Sequence, residues 1–265
     1  LNFTIGKQFV NFGGYEYYVN SIRVREFSEF NNLLTAYQAG ISGNWQVSPD
    51  HELCFQIVNN RNGNDEDIYP TGLPEGTAKA KIPFMYTVNW NSYYLDKSLQ
   101  LRYATAVGQQ TRKRYSYYFT CGNTYEKGPL LTYLDVMYTR QGIDQHGVVS
   151  RLPGTPHTAM NTEYLSIIGD VDYRVHPQWN VYVKGAYETA RVYKGNGDFR
   201  KGMYRRSWNA QSSVEFFPFK QLDLFVFVLY TYRGVILEKA ATRMGAIEPD
   251  THRISLGLVY SIPVF

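Results

Sequence analysis

The feature that most constrains this chain is a two-residue alternation of large apolar and small or polar side chains, repeated along nearly its whole length. At the C-terminal end, in "THRISLGLVYSIPVF", Ile254, Leu256, Leu258, Tyr260, Ile262 and Val264 alternate with Ser255, Gly257, Val259 and Ser261. Successive side chains of a strand point to opposite faces, so such a segment reads as a strand with one apolar face. The pattern recurs in Leu53, Phe55 and Ile57 against Glu52, Cys54 and Gln56, and in Phe84, Tyr86, Val88 and Trp90 against Met85, Thr87, Asn89 and Asn91. It returns in Leu99, Leu101, Tyr103 and Val107 against Gln100, Arg102, Ala104 and Ala106. Trp179, Val181, Val183 and Tyr187 oppose Asn180, Tyr182, Lys184 and Glu188, and Trp208, Ala210, Val214 and Phe216 face away from Asn209, Gln211, Ser213 and Glu215.

About twelve strands are predicted, near 1–9, 35–45, 52–60, 81–94, 97–108, 113–121, 130–141, 162–175, 178–191, 204–217, 221–233 and 252–264. Apart from 20–34, no segment carries a convincing amphipathic helix period. No stretch reaches the roughly 18 uninterrupted apolar residues of a spanning helix, which leaves spanning by strands open, since their signal is weaker per segment. Composition fits that option: 44% of residues are hydrophobic and 16% aromatic, yet mean hydropathy is −0.37, because half of each strand is polar.

Connections sort by length. The long ones are 10–34, 61–80, 142–161, 192–203 and 234–251, with 109–112 a short exception; the others are tight: "QVSPDH", "LDK", "GNTYEKG", "HPQ" and "FPFK". Short turns at one end and long loops at the other are what outer-membrane barrels show, periplasmic and extracellular respectively. Trp45, Trp90 and Trp179 fall where strands meet the short turns, forming an aromatic girdle. The expected architecture is all-β: one transmembrane antiparallel up-and-down barrel over 1–265, in the Gram-negative outer membrane, with its C-terminus periplasmic and its apolar face against lipid.

Two local motifs carry a family resemblance. The terminal strand ending in Phe265 resembles the assembly signal of outer-membrane barrels, although its apolar positions have the opposite parity to Phe265. The opening "LNFTIGKQFVNFGGYEYY", from Ile5 to Gly14 above all, resembles the phosphate-selective porin family. That resemblance implies a sixteen-stranded trimeric porin with a constriction loop folded into its channel, hence a homotrimer here. Loop 10–34 would then be the constriction, and the chain the C-terminal part of the barrel, truncated at its N-terminus. A complete twelve-stranded barrel is the competing account, because the first and last strands have the parity to pair. One closure or the other is expected, since exposed strand edges are costly in lipid.

Catalytic and metal chemistry find no support. His51, His146, His157, His176 and His252 fall in turns, loops or strand ends without a helical partner of zinc spacing. Ser150 and His146 share one loop rather than adjacent strands. Cys54 and Cys121 belong to strands that are not neighbours, so neither a disulfide nor a metal ligand pair is expected. No enzyme, cofactor or metal is expected. The net charge of +4 and pI of 8.8 are spread along the chain, unlike a nucleic-acid-binding module.

Charge becomes informative once the strands are oriented. Basic residues gather where strands meet long loops, and acids such as Glu52, Asp170, Asp172 and Glu215 gather toward the short turns. A basic mouth concentrates anions by field focusing, and rings of Arg and Lys are the usual device of anion pores. The anion-handling candidates are Arg114, Arg205 and Arg233 at the mouth, Arg102 and Lys184 deeper, and Arg23 and Arg25 in loop 10–34. Arg140 and Arg206 face outward, where lipopolysaccharide phosphates are the alternative partners. The expected function is a porin for small hydrophilic solutes, anions such as phosphate favoured; a non-transporting barrel that anchors or assembles with another outer-membrane protein is the alternative.

Overall fold

The computed structural model describes residues 1–12, 37–59, 69, 72–74, 76–78, 80–81, 83–145, 147–155, 157–197, 199–219 and 224–260. Within them, twelve strands form one sheet in which each strand pairs only with its neighbours in sequence. They are β1 (Asn2–Phe9), β2 (Tyr37–Ser48), β3 (His51–Asn59), β4 (Phe84–Tyr94), β5 (Leu99–Gln109) and β6 (Tyr115–Lys127), followed by β7 (Leu130–Ile143), β8 (Met160–His176), β9 (Trp179–Val192), β10 (Gly202–Phe216), β11 (Leu224–Leu237) and β12 (Thr251–Tyr260). Every pairing is antiparallel. This is the up-and-down meander of the predicted class.

The alternation explains the two faces. Along β10, Ser207, Asn209, Gln211, Ser213 and Glu215 are buried, while Trp208, Ala210, Ser212 and Val214 between them are exposed. The exposed face is the apolar one: Trp45, Trp90, Trp179, Trp208, Val183 and Leu256 all lie on it. In water this would be an aggregating surface; against acyl chains it is the solvated one. Trp45, Leu53 and Trp90 stand side by side in register on β2, β3 and β4, and Trp179 packs on Phe216 at 4.6 Å between ring centroids. At the long-loop end a second aromatic set appears, with Tyr187 stacked on Trp208 at 4.2 Å. Trp179 and Tyr187 lie about 26 Å apart along β9 at roughly 3.3 Å per residue, enough for a tilted strand to cross the apolar layer.

Turn chemistry fixes the short end. Leu95, Asp96 and Lys97 take φ of 53°, 54° and 68° between β4 and β5, and Gly128 takes 60° between β6 and β7. Several ladders run further than predicted: β2 continues to Ser48, β11 to Leu237, and β6 to Lys127, which pairs with Leu130. "GNTYEKG" is therefore mostly strand, because pairing with β7 outweighs the turn propensity of Gly122 and Asn123. The structure also contains a one-turn helix, α1 (Lys239–Thr242), in the last long loop, too short to show a period in sequence.

The twelve-stranded closure is not formed among the described residues. β1 and β12 are the two edges of the sheet and are not hydrogen-bonded to each other. Parity makes such a pairing antiparallel, but strand tilt and shear decide whether the edges meet. Segment 20–34, the one exception to the absence of a helical period, lies outside the described residues.

Candidate functional site: the lumen wall and its long-loop mouth

The polar face of the sheet lines the lumen, and on β7–β10 it is rich in carboxylates. Asp135, Asp170, Asp172, Glu188 and Glu215 are all buried there. Asn180 donates to Asp172 Oδ1 at 2.7 Å and to Glu215 Oε2 at 3.0 Å. Ser166, Ser207 and Asn209 donate to Glu188 at 3.2–3.4 Å. Lys184, in register with Asp170, sits amid these acids and is 1% exposed. On the opposite part of the sheet Arg102 donates from Nε to Asn91 Oδ1 at 3.0 Å, and Asn91 reaches Glu52 at 3.4 Å. Both deeper basic candidates thus face the lumen as expected, within a wall whose acids outnumber them.

At the long-loop end the chain turns inward. Beyond β1, the Asn11 N–H donates to Gln56 Oε1 at 2.7 Å, Gln56 Nε2 donates to the Phe9 carbonyl at 2.8 Å, and Asn89 Nδ2 donates to Asn11 Oδ1 at 3.0 Å. Phe12 then meets Tyr118 edge-on at 5.8 Å. Gln56, Asn89 and Tyr118 belong to the inner faces of β3, β4 and β6, so the segment that begins at Val10 starts inside the lumen. Arg23 and Arg25 lie outside the described residues, as do Asp65, Glu66 and Asp67.

Four long connections share an apolar core at this mouth. Phe12, Val149, Leu152, Ala159, Phe199, Ala241 and Ala246 pack with Tyr164 and Val192 of the wall. A buried carboxylate organises loop 144–159. Asp144 Oδ1 accepts from the Gly147 N–H at 3.0 Å and the Tyr164 hydroxyl at 2.6 Å, while Oδ2 accepts from Ser150 N–H at 3.0 Å and Ser150 Oγ at 2.7 Å. Ser150 Oγ in turn accepts from the Ala159 N–H at 2.8 Å. Ser150 is thereby a buried structural hydroxyl. Burial also pushes the Tyr69 phenol well above its usual value, with Tyr118 adding to the effect and a hydrogen bond with Gln145 opposing it. It stays a neutral group at any physiological pH.

The basic candidates at the mouth fall into two groups. Arg205 of β10 and Arg233 of β11 converge on one oxygen, Glu248 Oε1, with Nη2 distances of 3.0 and 2.7 Å. A register shift between Met203 and Arg205 turns both Tyr204 and Arg205 inward, the usual consequence of a bulge. Arg114 is held elsewhere, donating from Nη1 to the Gly142 carbonyl and to Asn161 Oδ1, each at 3.2 Å. With Arg112 and Lys113 it lines a cavity of about 600 Å³ against residues 76–78 and Met160. On the outer face Arg206 pairs with Glu238, Arg191 with Glu163 at 3.0 Å, and Arg140 lies 3.9 Å over the Tyr193 ring.

Sequence reasoning missed Glu248 and Asp144. Nothing in "GAIEPD" announces that Glu248 folds back over two arginines, since that depends on how α1 docks. Asp144 did carry a signal: an Asp three residues before a Gly commonly accepts local backbone N–H bonds. Among the described residues no group of His, Cys, Asp and Glu is placed to hold a metal.

The model of the phosphate-selective porin O and P family matches residues 1–262. The chain belongs to that family. No curated protein matches it in sequence, but solved outer-membrane proteins share its fold. The outer-membrane channel DcaP of Acinetobacter baumannii superposes with a TM-score of 0.62 at 11% identity, over 98% of this porin and 72% of that chain. The loop L8 deletion mutant of OmpT from Vibrio cholerae gives 0.57 at 12% identity, over 97% of this porin and 74% of that chain. In-vitro folded OmpT in its trimer form gives 0.52 at 12% identity, with the same 97% and 74% shares. The porin is thus an outer-membrane β-barrel channel by family, with the barrel fold independently matched in structure.

Proposed function

We propose that this porin passes small hydrophilic solutes and favours anions, phosphate among them, and that the preference is set at the long-loop mouth. The observation that carries the reading is the convergence of Arg205 and Arg233 at that end, 3.0 and 2.7 Å from a shared carboxylate oxygen. Arg112, Lys113 and Arg114 add positive charge at the same end of the sheet. The deeper wall, carrying Asp135, Asp170, Asp172, Glu188 and Glu215, offers anions no matching attraction. Selectivity is therefore a matter of capture, and rim charges act through a field that salt screens. An Arg205→Ala, Arg233→Ala variant should move the reversal potential across a KCl gradient toward potassium and lower conductance most at low salt. An unchanged potential would remove the anion claim and leave a general porin.

In this reading the long loops are extracellular, β12 ends at the periplasmic side, and three copies assemble as in the trimer form of OmpT. Its outward aromatic girdles and Arg140 meet lipid and lipopolysaccharide. In a background lacking Cys54 and Cys121, Gly197→Cys should react with an impermeant thiol reagent on intact cells, and Asp50→Cys only after the outer membrane is opened. The reverse pattern would invert the topology. A second reading, a barrel that anchors or assembles with another outer-membrane protein without conducting, draws on one observation. The lumen-facing Lys184 and Glu188 are each 1% exposed, less than a wide water-filled pore leaves its wall.

A further inference from the structure

We infer that Glu248 is a built-in competitor at the anion site of Arg205 and Arg233: a tethered carboxylate that an incoming anion must displace. The inference rests on the anion reading above and adds to it a residue of opposite charge. Both guanidinium groups donate to the same atom, Glu248 Oε1, the geometry in which one carboxylate or phosphate oxygen of a solute would be gripped. Arg205 is almost wholly covered, its side chain 5% exposed, whereas those of Arg233 and Glu248 are 28% and 29% exposed. Water and small ions therefore reach the pair from the side where Glu248 sits.

The contact is not what holds its loop in place. Loop 238–250 is pinned by the buried Ala241 and Ala246 in the mouth core, by the Glu238 N–H on the Tyr204 carbonyl at 2.9 Å, by Glu238 on Arg206, and by Asp250 Oδ1 accepting from the Val235 N–H at 2.9 Å. With these anchors in place, Glu248 is free to leave the arginines while the loop stays docked. An incoming carboxylate or phosphate offers the same kind of acceptor oxygen as Glu248, so it can take over the guanidinium donors that Glu248 gives up. Exchange of this kind keeps an anion from being held so tightly that it cannot move on, the balance that conduction requires.

The test compares wild type, Glu248→Gln and a Glu248→Gln, Arg205→Ala, Arg233→Ala triple variant in planar bilayers, with inorganic phosphate and, separately, acetate titrated against chloride current. Glu248→Gln keeps the side-chain length and removes the competing charge. It should let phosphate and acetate reduce chloride current at several-fold lower concentration than in wild type and move the reversal potential further toward chloride. The triple variant should lose both gains. Identical titrations for wild type and Glu248→Gln would overturn the proposal. So would a Glu248→Gln pore whose potassium and chloride currents rise together, because that marks a loosened loop. If wild type shows no anion preference but Glu248→Gln acquires one that the triple variant lacks, the competitor stands and the anion reading of the native pore falls.

Discussion

Leu256→Arg and Val183→Arg should each remove roughly 2–4 kcal/mol of stability in lipid, read from denaturant unfolding in vesicles of fixed composition. Leu256 is 76% and Val183 56% exposed on the apolar face of β12 and β9, Leu256 in register with Val228 and Val183 with Val171. A guanidinium there has no water to hydrate it, and snorkelling toward a rim recovers only part of its hydration. Ser255→Arg, one position away and on the opposite face of β12, should cost far less because its charge meets the polar side. Equal losses from Leu256→Arg and Ser255→Arg would mean that the two faces do not meet different solvents, and the membrane barrel would be wrong.

The second large effect belongs to the mouth. Asp144→Ala should cost about 4 kcal/mol or more, because two backbone N–H groups, the Ser150 hydroxyl and the Tyr164 phenol lose their acceptor in a buried environment, at about 1–3 kcal/mol for each left unsatisfied. The expected signs are a lower melting temperature and rapid proteolysis within 147–155, while the strands stay protected. The wall carries its own ladders, so the damage should be confined to the cap of loops and the apolar core they share. Proteolysis and melting unchanged from wild type would show that the four bonds to Asp144 do not hold this loop.

How legible was this molecule in its sequence? The strands were legible because lipid on one side and a polar lumen on the other force a two-residue period, and that period survives in β4, β5, β9, β10 and β12 almost residue for residue. Parity also assigned single residues: Arg205 inward and Arg206 outward, Arg102 and Lys184 to the lumen, the tryptophans to the girdle. Strand ends were less legible where glycine and asparagine lie inside a ladder, as at Gly122 and Asn123 of β6, since pairing with β7 holds them extended.

The mouth was mostly illegible. Its apolar core draws Phe12, Val149, Phe199 and Ala241 from four separate segments, and each alone looks like an ordinary loop residue. The same holds for Glu248, which joins Arg205 and Arg233 from forty-three and fifteen residues away. A basic mouth could be read from strand ends, but the carboxylate that folds back onto it could not. The acid-rich wall was visible in part: parity placed Asp170, Asp172 and Glu215 toward the short turns, and the structure shows how hydrogen bonds from Asn180, Ser166, Ser207 and Asn209 knit that wall together.

The central claim is a channel whose anion preference resides at the long-loop mouth, and the zero-current potential of the purified porin in a planar bilayer tests it most directly. Under a KCl gradient the protein should insert with stepwise conductance, and the potential should lie on the chloride side, closest to the chloride limit at low salt and drifting toward zero as salt screens Arg205, Arg233 and the Arg112–Arg114 cluster. A bilayer that stays silent at high protein concentration would contradict the channel, and conductance steps with the potential on the potassium side would contradict its selectivity.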